Sequence, residues 1–188
     1  MANKPQYGRR LMAWLGLAAA LAALIGSAAW FGIYNVAADV PHWQVTEKLI
    51  QVARERSIIV RSRDIAVPKD LDRPDRIRAG AGLYDEMCVS CHLAPAVGDS
   101  EMQRGLYPKP PAFPETGVSA PSGAFWAIKH GVKMTAMPAW GQSHTDDQIW
   151  DMVAFLMRLK GMSEADYKAL VASAAPDDDD GHHHVHGH

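Results

Sequence analysis

The sequence predicts a helical protein, with one membrane-length apolar segment followed by a small domain of short amphipathic helices. Three observations carry that reading. No charged residue occurs from Leu11 to Val36. Apolar residues recur at helical spacing in the segments on either side of the chain's centre. Between those segments stands Cys88-Val89-Ser90-Cys91-His92, which holds the only two cysteines of the 188 residues with a histidine directly after them.

Residues 1–10 carry Lys4, Arg9 and Arg10 and no acid, and read as a basic cytoplasmic end. Residues 11–36 follow as the span. At about 1.5 Å per residue that run exceeds the roughly 30 Å hydrocarbon layer of a bilayer. A cleavable signal peptide, with Val36-Ala37-Ala38 as its small-residue site, is the competing reading. The apolar part of a signal is usually about 7–15 residues, which favours a retained anchor. Trp30, Tyr34 and Trp43 stand near its distal end, where amphipathic rings prefer the headgroup layer. The chain after Asp39 is then exported.

Residues 39–74 form a connecting region. Val40-Pro41-His42-Trp43 interrupts the helix. Val45–Ser57 resumes it, with Val45, Leu49, Val52 and Arg56 at helical spacing. This is expected to be an amphipathic helix at the membrane surface or against the following domain, or a plain stalk. Ile58-Ile59-Val60 reads as extended, and Pro68, Asp70, Asp72 and Pro74 as a linker.

The domain proper is expected at 75–162. Ile77 to Met87 should be a helix running into the cysteine motif, with Gly80 and Tyr84 on one face. A glycine inside a helix costs stability, and a close helix crossing is its usual reason. The partner is a helix opened by the capping box Thr145-x-x-Gln148 and striped by Ile149, Trp150, Val153, Leu156 and Leu159. Between them lie a proline-rich loop at 105–111, a helix over about 122–130 ended by Gly131, and the loop 132–141.

C-x-x-C-H is the pattern of c-type haem attachment: each thiol adds across one vinyl group, and the histidine becomes an axial ligand. A thioredoxin-like pair would need a βαβ context, and a thiolate zinc site more cysteines. A zinc site completed by distant histidines has no recognisable spacing here. A low-spin haem for electron transfer needs a second axial ligand, and methionine raises the potential. Met137 is preferred because Pro138 would hold its loop rigid. Met134, His130 and His144 are the alternatives, while Met152 and Met157 read as filler within the last helix. The Pro110 carbonyl is the expected acceptor for the other ring nitrogen of His92. Tyr107, Phe113, Trp126 and Trp140 either line the haem cleft or are ordinary aromatic core. Lys109, Lys129 and Lys133 flank the methionine side and would guide an acidic partner. Asp85, Glu86 and Asp99 read as surface carboxylates. A net charge of −2 leaves no electrostatic footprint for nucleic acid.

The motif at 88–92, the Gly80/Tyr84 helix before it, Met137-Pro138-Ala139-Trp140 and Ile149–Leu156 together resemble a class I monohaem cytochrome c. The segments Tyr34–Asp39 and Trp126–Pro138 are similar to membrane-anchored bacterial members of that class. The resemblance implies an all-α fold around one covalently bound haem, behind one N-terminal transmembrane helix. It also implies ligation by His92 and Met137, attachment through Cys88 and Cys91, packing of the loop at Pro110-Pro111 beside the haem, and a partly exposed haem edge.

The remaining 163–188 read as an extension ending in Asp177–Asp180 and in His182, His183, His184, His186 and His188. Such a tail is a flexible ligand set for Cu, Ni or Zn, with a purification tag as the dull alternative. The functional expectation is an electron carrier, not an enzyme, held on the periplasmic face of a bacterial inner membrane. Its partners would be redox proteins of the periplasm or membrane, with lipid around the N-terminal helix. The alternatives are a cytochrome subunit of a larger membrane dehydrogenase or oxidase, and a metal-handling protein using the tail.

Overall fold

A computed structural model describes residues 4–174. Among the described residues the secondary structure is helical, with no strand, as the sequence predicts. The chain divides at Val40 into two compact units.

The first unit is dominated by α1, Lys4–Trp30, whose stretch Tyr7–Trp30 is long and apolar enough to cross a bilayer. The helix stops at Trp30 although the uncharged run continues to Val36. Gly32 ends it with φ +63°: its amide bonds the Ala29 carbonyl, and the Ile33 amide reaches back to Ala28. Paired bonds of this kind satisfy the last helical carbonyls, and the left-handed turn falls to the residue without a Cβ.

In the second unit, α2 covers Gln44–Ser62, so Ile58-Ile59-Val60 is helical and not extended. Packing of Ile58 holds this stretch helical against the weak helix preference of β-branched residues, while Ile59 and Val60 stay exposed. Ile58 and Ser62, one turn apart, lie over Gly123 of α7, Pro121–His130. Helix α3 covers Pro74–Met87, with Pro74 in its first turn, where a missing N–H costs nothing. Helices α4 (Val89–His92), α5 (Glu101–Gly105) and α6 (Phe113–Thr116) are short pieces around the cysteine motif and the proline-rich loop. Helix α8, Asp146–Leu159, has the expected cap: Thr145 Oγ1 accepts from the Gln148 amide, and the Gln148 side chain accepts from the Thr145 amide.

The largest helix pairing is α3 on α8. Gly80 makes it possible, because a Cβ there would overlap the Asp151 carbonyl. Around that contact lie Ala81 and Tyr84 of α3 and Ile149, Met152, Val153, Phe155 and Leu159 of α8, all essentially without exposure. Phe125 of α7 stacks on Trp150, with ring centroids 4.2 Å apart. A further helix, α9 (Glu164–Ser173), packs on α3, and its buried Tyr167 donates to Asp85 Oδ1 at 2.6 Å. Asp85 is a surface carboxylate, as expected, and from there it also anchors the Tyr167 hydroxyl.

One guanidinium ties three parts of this unit together. Arg76 on α3 meets Asp151 at 2.6 Å, Asp70 of the preceding segment at 3.1 Å and Asp147 at 3.2 Å. Burial opposes the charged guanidinium, but these carboxylates outweigh it and hold the pKa of Arg76 above its ordinary value. For Asp151 burial raises the pKa more than Arg76 lowers it. Arg76→Leu should cost about 2 kcal/mol at neutral pH, below the full cost of breaking a buried pair because Asp147 and Asp70 are partly exposed. The variant leaves Asp151 buried and charged. A carboxylate with a raised folded pKa contributes stability below its unfolded pKa and loses it as pH rises through the folded value. The stability gap to the parent should therefore narrow as pH falls through the carboxylate range, and Asp151→Asn in the variant should close much of it. Denaturant titrations at neutral and acidic pH check this; a gap that is constant or widens toward acid contradicts it.

Candidate functional site

The cysteine motif begins where α3 ends. Cys88 follows the last turn of α3, and its carbonyl accepts from the amides of Cys91 and His92 at 3.1 and 2.8 Å. That turn sets the two thiols on one short helical segment. Leu93 then adopts φ +67°, unusual for a residue with a Cβ. The buried Tyr84 hydroxyl donates to the Leu93 carbonyl at 2.6 Å, so α3 itself pins the strained exit of the motif. Burial, with Cys91 beside it, pushes the Cys88 thiol up to about 12. A thioredoxin-like nucleophile needs the opposite shift.

His92 Nδ1 lies 2.9 Å from the Pro111 carbonyl. A carbonyl only accepts, so Nδ1 carries the proton and Nε2 keeps its lone pair. Burial lowers the pKa of the ring despite that bond, which favours the neutral imidazole. Phe113 stacks on the ring at 4.4 Å between centroids. The acceptor is Pro111, not the expected Pro110. The Pro110 carbonyl instead accepts from the Gln103 side-chain Nε2 at 3.3 Å. Gln103 is a residue that sequence reasoning missed. It is almost wholly buried, its backbone amide is capped by Ser100 Oγ, and that same hydroxyl donates to the Ser90 carbonyl within the motif. The chain Ser90–Ser100–Gln103–Pro110 thus sets the height of the loop against His92.

The second half of the site is the loop after α7. Gly131 turns with φ +65°, and a Cβ there would overlap the Met137 and Pro138 backbone. The Val132 amide donates to the Met137 carbonyl at 3.2 Å. Thr135 Oγ1 donates to the Val132 carbonyl at 2.7 Å and accepts from the Met137 amide at 3.1 Å. Where the loop returns, Gly141 lies against the Lys129 backbone. Met137 and Trp140 pack on the same core as Cys88, Val89 and Phe113. Met134, by contrast, is 77% exposed. His130 lies exposed against Trp126, and His144 bonds its neighbour Ser143 while meeting Trp140 edge-on. Tyr107 turns toward α2, where its hydroxyl accepts from the His42 amide at 3.3 Å. Lys129 is held by both oxygens of Asp146, at 2.6 and 2.8 Å, and is not the free steering charge expected; Lys109 and Lys133 are exposed. Among the described residues no group of three or more His, Cys, Asp or Glu could hold a metal ion. The tail histidines His182, His183, His184, His186 and His188 lie outside the described residues.

Two half-buried thiols on one helical turn, a neutral imidazole with a fixed lone pair and a clamped methionine on the same core are donors that suit iron porphyrin. They sit in an all-helical domain. Residues 75–156 match the family model described as cytochrome C oxidase, cbb3-type, subunit III. That stretch is a cytochrome c domain. A chain of a reducing HAO-like protein complex from Kuenenia stuttgartiensis is similar at 22% identity with a TM-score of 0.41, over 51% of this chain and 46% of that one. This chain thus spans less than half the length of that solved structure's chain. No curated protein matches.

Proposed function

We propose that this protein is a membrane-tethered electron carrier that passes one electron at a time through a single haem attached to Cys88 and Cys91. When bound, the haem supplies a ferrous/ferric couple. His92 Nε2 and the Met137 sulfur would hold its iron. The observation that carries it is the His92–Pro111 bond, which presents a neutral imidazole with one lone pair directly after two thiols on one turn. Pro111 holds the ring's direction, Tyr84 holds the turn that follows it, and Thr135 fixes the sulfur-bearing loop. Phe113 and Trp140 exclude water beside these groups, which favours the less charged ferrous state. Helix α1 supports tethering by its length and apolarity, and the basic residues before it support a cytoplasmic N-terminus with the domain in the periplasm.

Expression in cells able to ligate haem tests this. The purified chain should keep its colour through denaturation, exceed its amino-acid mass by one haem, and show low-spin bands that carbon monoxide does not alter at neutral pH. A colourless chain of peptide mass contradicts attachment, and ready carbon monoxide binding contradicts the second ligand. The match to an oxidase subunit favours a second reading, in which the same haem serves as a fixed relay within a larger membrane oxidoreductase. Purification in mild detergent separates the two readings. A stoichiometric partner enzyme supports the relay, and an isolated small haem protein supports the free carrier.

A further inference from the structure

We infer that the outward face of α2 is a lipid-docking surface that lies in the headgroup layer of a bilayer; this rests on the reading of α1 as a membrane anchor. The amphipathicity of α2 is inverted with respect to its own domain. Toward α7 and the nearby loops it turns Thr46, Ile50, Arg54, Ser57, Ile58 and Ser62, a largely polar set. Away from the domain it turns Val45 (71% exposed), Leu49 (66%), Val52 (57%) and Ile59 (54%). Their spacing of four, three and seven residues makes one continuous stripe along the helix. A contiguous apolar stripe of that kind needs a cover, because leaving it in water forfeits roughly 25 cal/mol for each Å² that burial would remove.

Two observations select lipid as the cover. The first is charge. Lys48 and Arg56 are exposed on the same outward face, where aliphatic stems can lie along the apolar stripe while the cations reach anionic headgroups. The second is reach. Residues 31–43 separate the end of α1 from the start of α2, and a chain of that length extends no further than about 45 Å even when straight. An anchored chain therefore keeps this face near a bilayer throughout its life. A second copy is the poorer occupant. Pairing this face with its own copy would carry Arg56 of both chains into a dry apolar seam. In the headgroup layer the same residue is solvated. Docking of α2 would replace a swinging tether by a fixed platform, with α7 and the Met137 loop carried at a set height above the membrane.

The test uses the full-length haem-loaded chain in nanodiscs of phosphatidylcholine and phosphatidylglycerol. Val52→Cys, and separately Glu47→Cys on the far flank of α2, carry an environment-sensitive fluorophore; both positions are exposed, so the fold tolerates the label. Lipids brominated near the headgroup should quench the Val52 probe at least about threefold more than the Glu47 probe. Adding Leu49→Asp, also at an exposed site, should abolish the difference. Equal, weak quenching in a chain that stays in the disc overturns the docking face and leaves the anchor intact. Release of the chain by carbonate overturns the anchor and the docking face together. Disulfide cross-linking of unlabelled Val52→Cys between two chains in one disc, with no lipid quenching, assigns the face to a second copy and overturns the proposal.

Discussion

Alanine at Gly80 is expected to lower the unfolding temperature by roughly 15 °C and to cut the yield of haem-loaded protein severely. The added Cβ has no room, since it would overlap a backbone carbonyl, that of Asp151, and not a flexible side-chain end. Helices α3 and α8 must then separate along the largest contact of the domain. Overpacking costs about 1–3 kcal/mol in ordinary cores. Here the obstruction is main chain on both sides, so about 3 kcal/mol is the lower bound, and for a domain of this size that corresponds to the stated shift. The consequence for the cofactor follows from continuity. Helix α3 runs straight into Cys88, and Tyr84 on the same helix holds the Leu93 turn. Displacing α3 therefore moves the thiols relative to Pro111 and the Met137 loop. Thermal melts and the haem-to-protein ratio check both halves. An unchanged melting temperature would mean that the crossing has slack that this packing does not contain.

Met137→Ala is expected to convert the ferrous protein into one that binds carbon monoxide at neutral pH, and to lower its reduction potential by on the order of 100 mV. In the proposed ligation the sulfur would be the soft ligand that favours ferrous iron, and its loss would leave that position to water or to carbon monoxide. Met134→Ala supplies the control. That side chain stands 77% exposed at the edge of the loop, and its removal should alter neither the potential nor the spectrum. Carbon monoxide titration and potentiometry of the two variants decide the assignment. If Met134→Ala opens the iron and Met137→Ala does not, the ligands are exchanged.

Much of this arrangement is legible in the sequence because its signals are local. The capping box at Thr145 and Gln148, the stripe of α8 and the motif at 88–92 each depend on residues within one or two turns. Gly80 is legible for a different reason: a glycine inside a helix demands an external explanation, and the crossing supplies it. What stays hidden is set by partners distant in the chain. The end of α2 is seated by Ile58 and Ser62 against Gly123 on α7, and no local pattern announces that. Helix α9 has a weak apolar stripe and is held mainly through Tyr167 against α3. The choice of Pro111 over Pro110 lies below sequence resolution, since adjacent prolines offer equivalent carbonyls and only the position of Gln103 separates them. Gln103 itself carries no signal, being an ordinary glutamine in a short helix.

The loop that bears Met137 leaves the final turn of α7 at Gly131 and rests again on that turn where Gly141 meets Lys129. Both footings of this arch, Gly131 and Lys129, belong to one turn, and the Thr135 hydroxyl braces it from within. An arch so supported has no intermediate sag: the sulfur is either held or released with the whole span. Detachment on heating should accordingly register as one sharp optical step, completed before the helices themselves come apart.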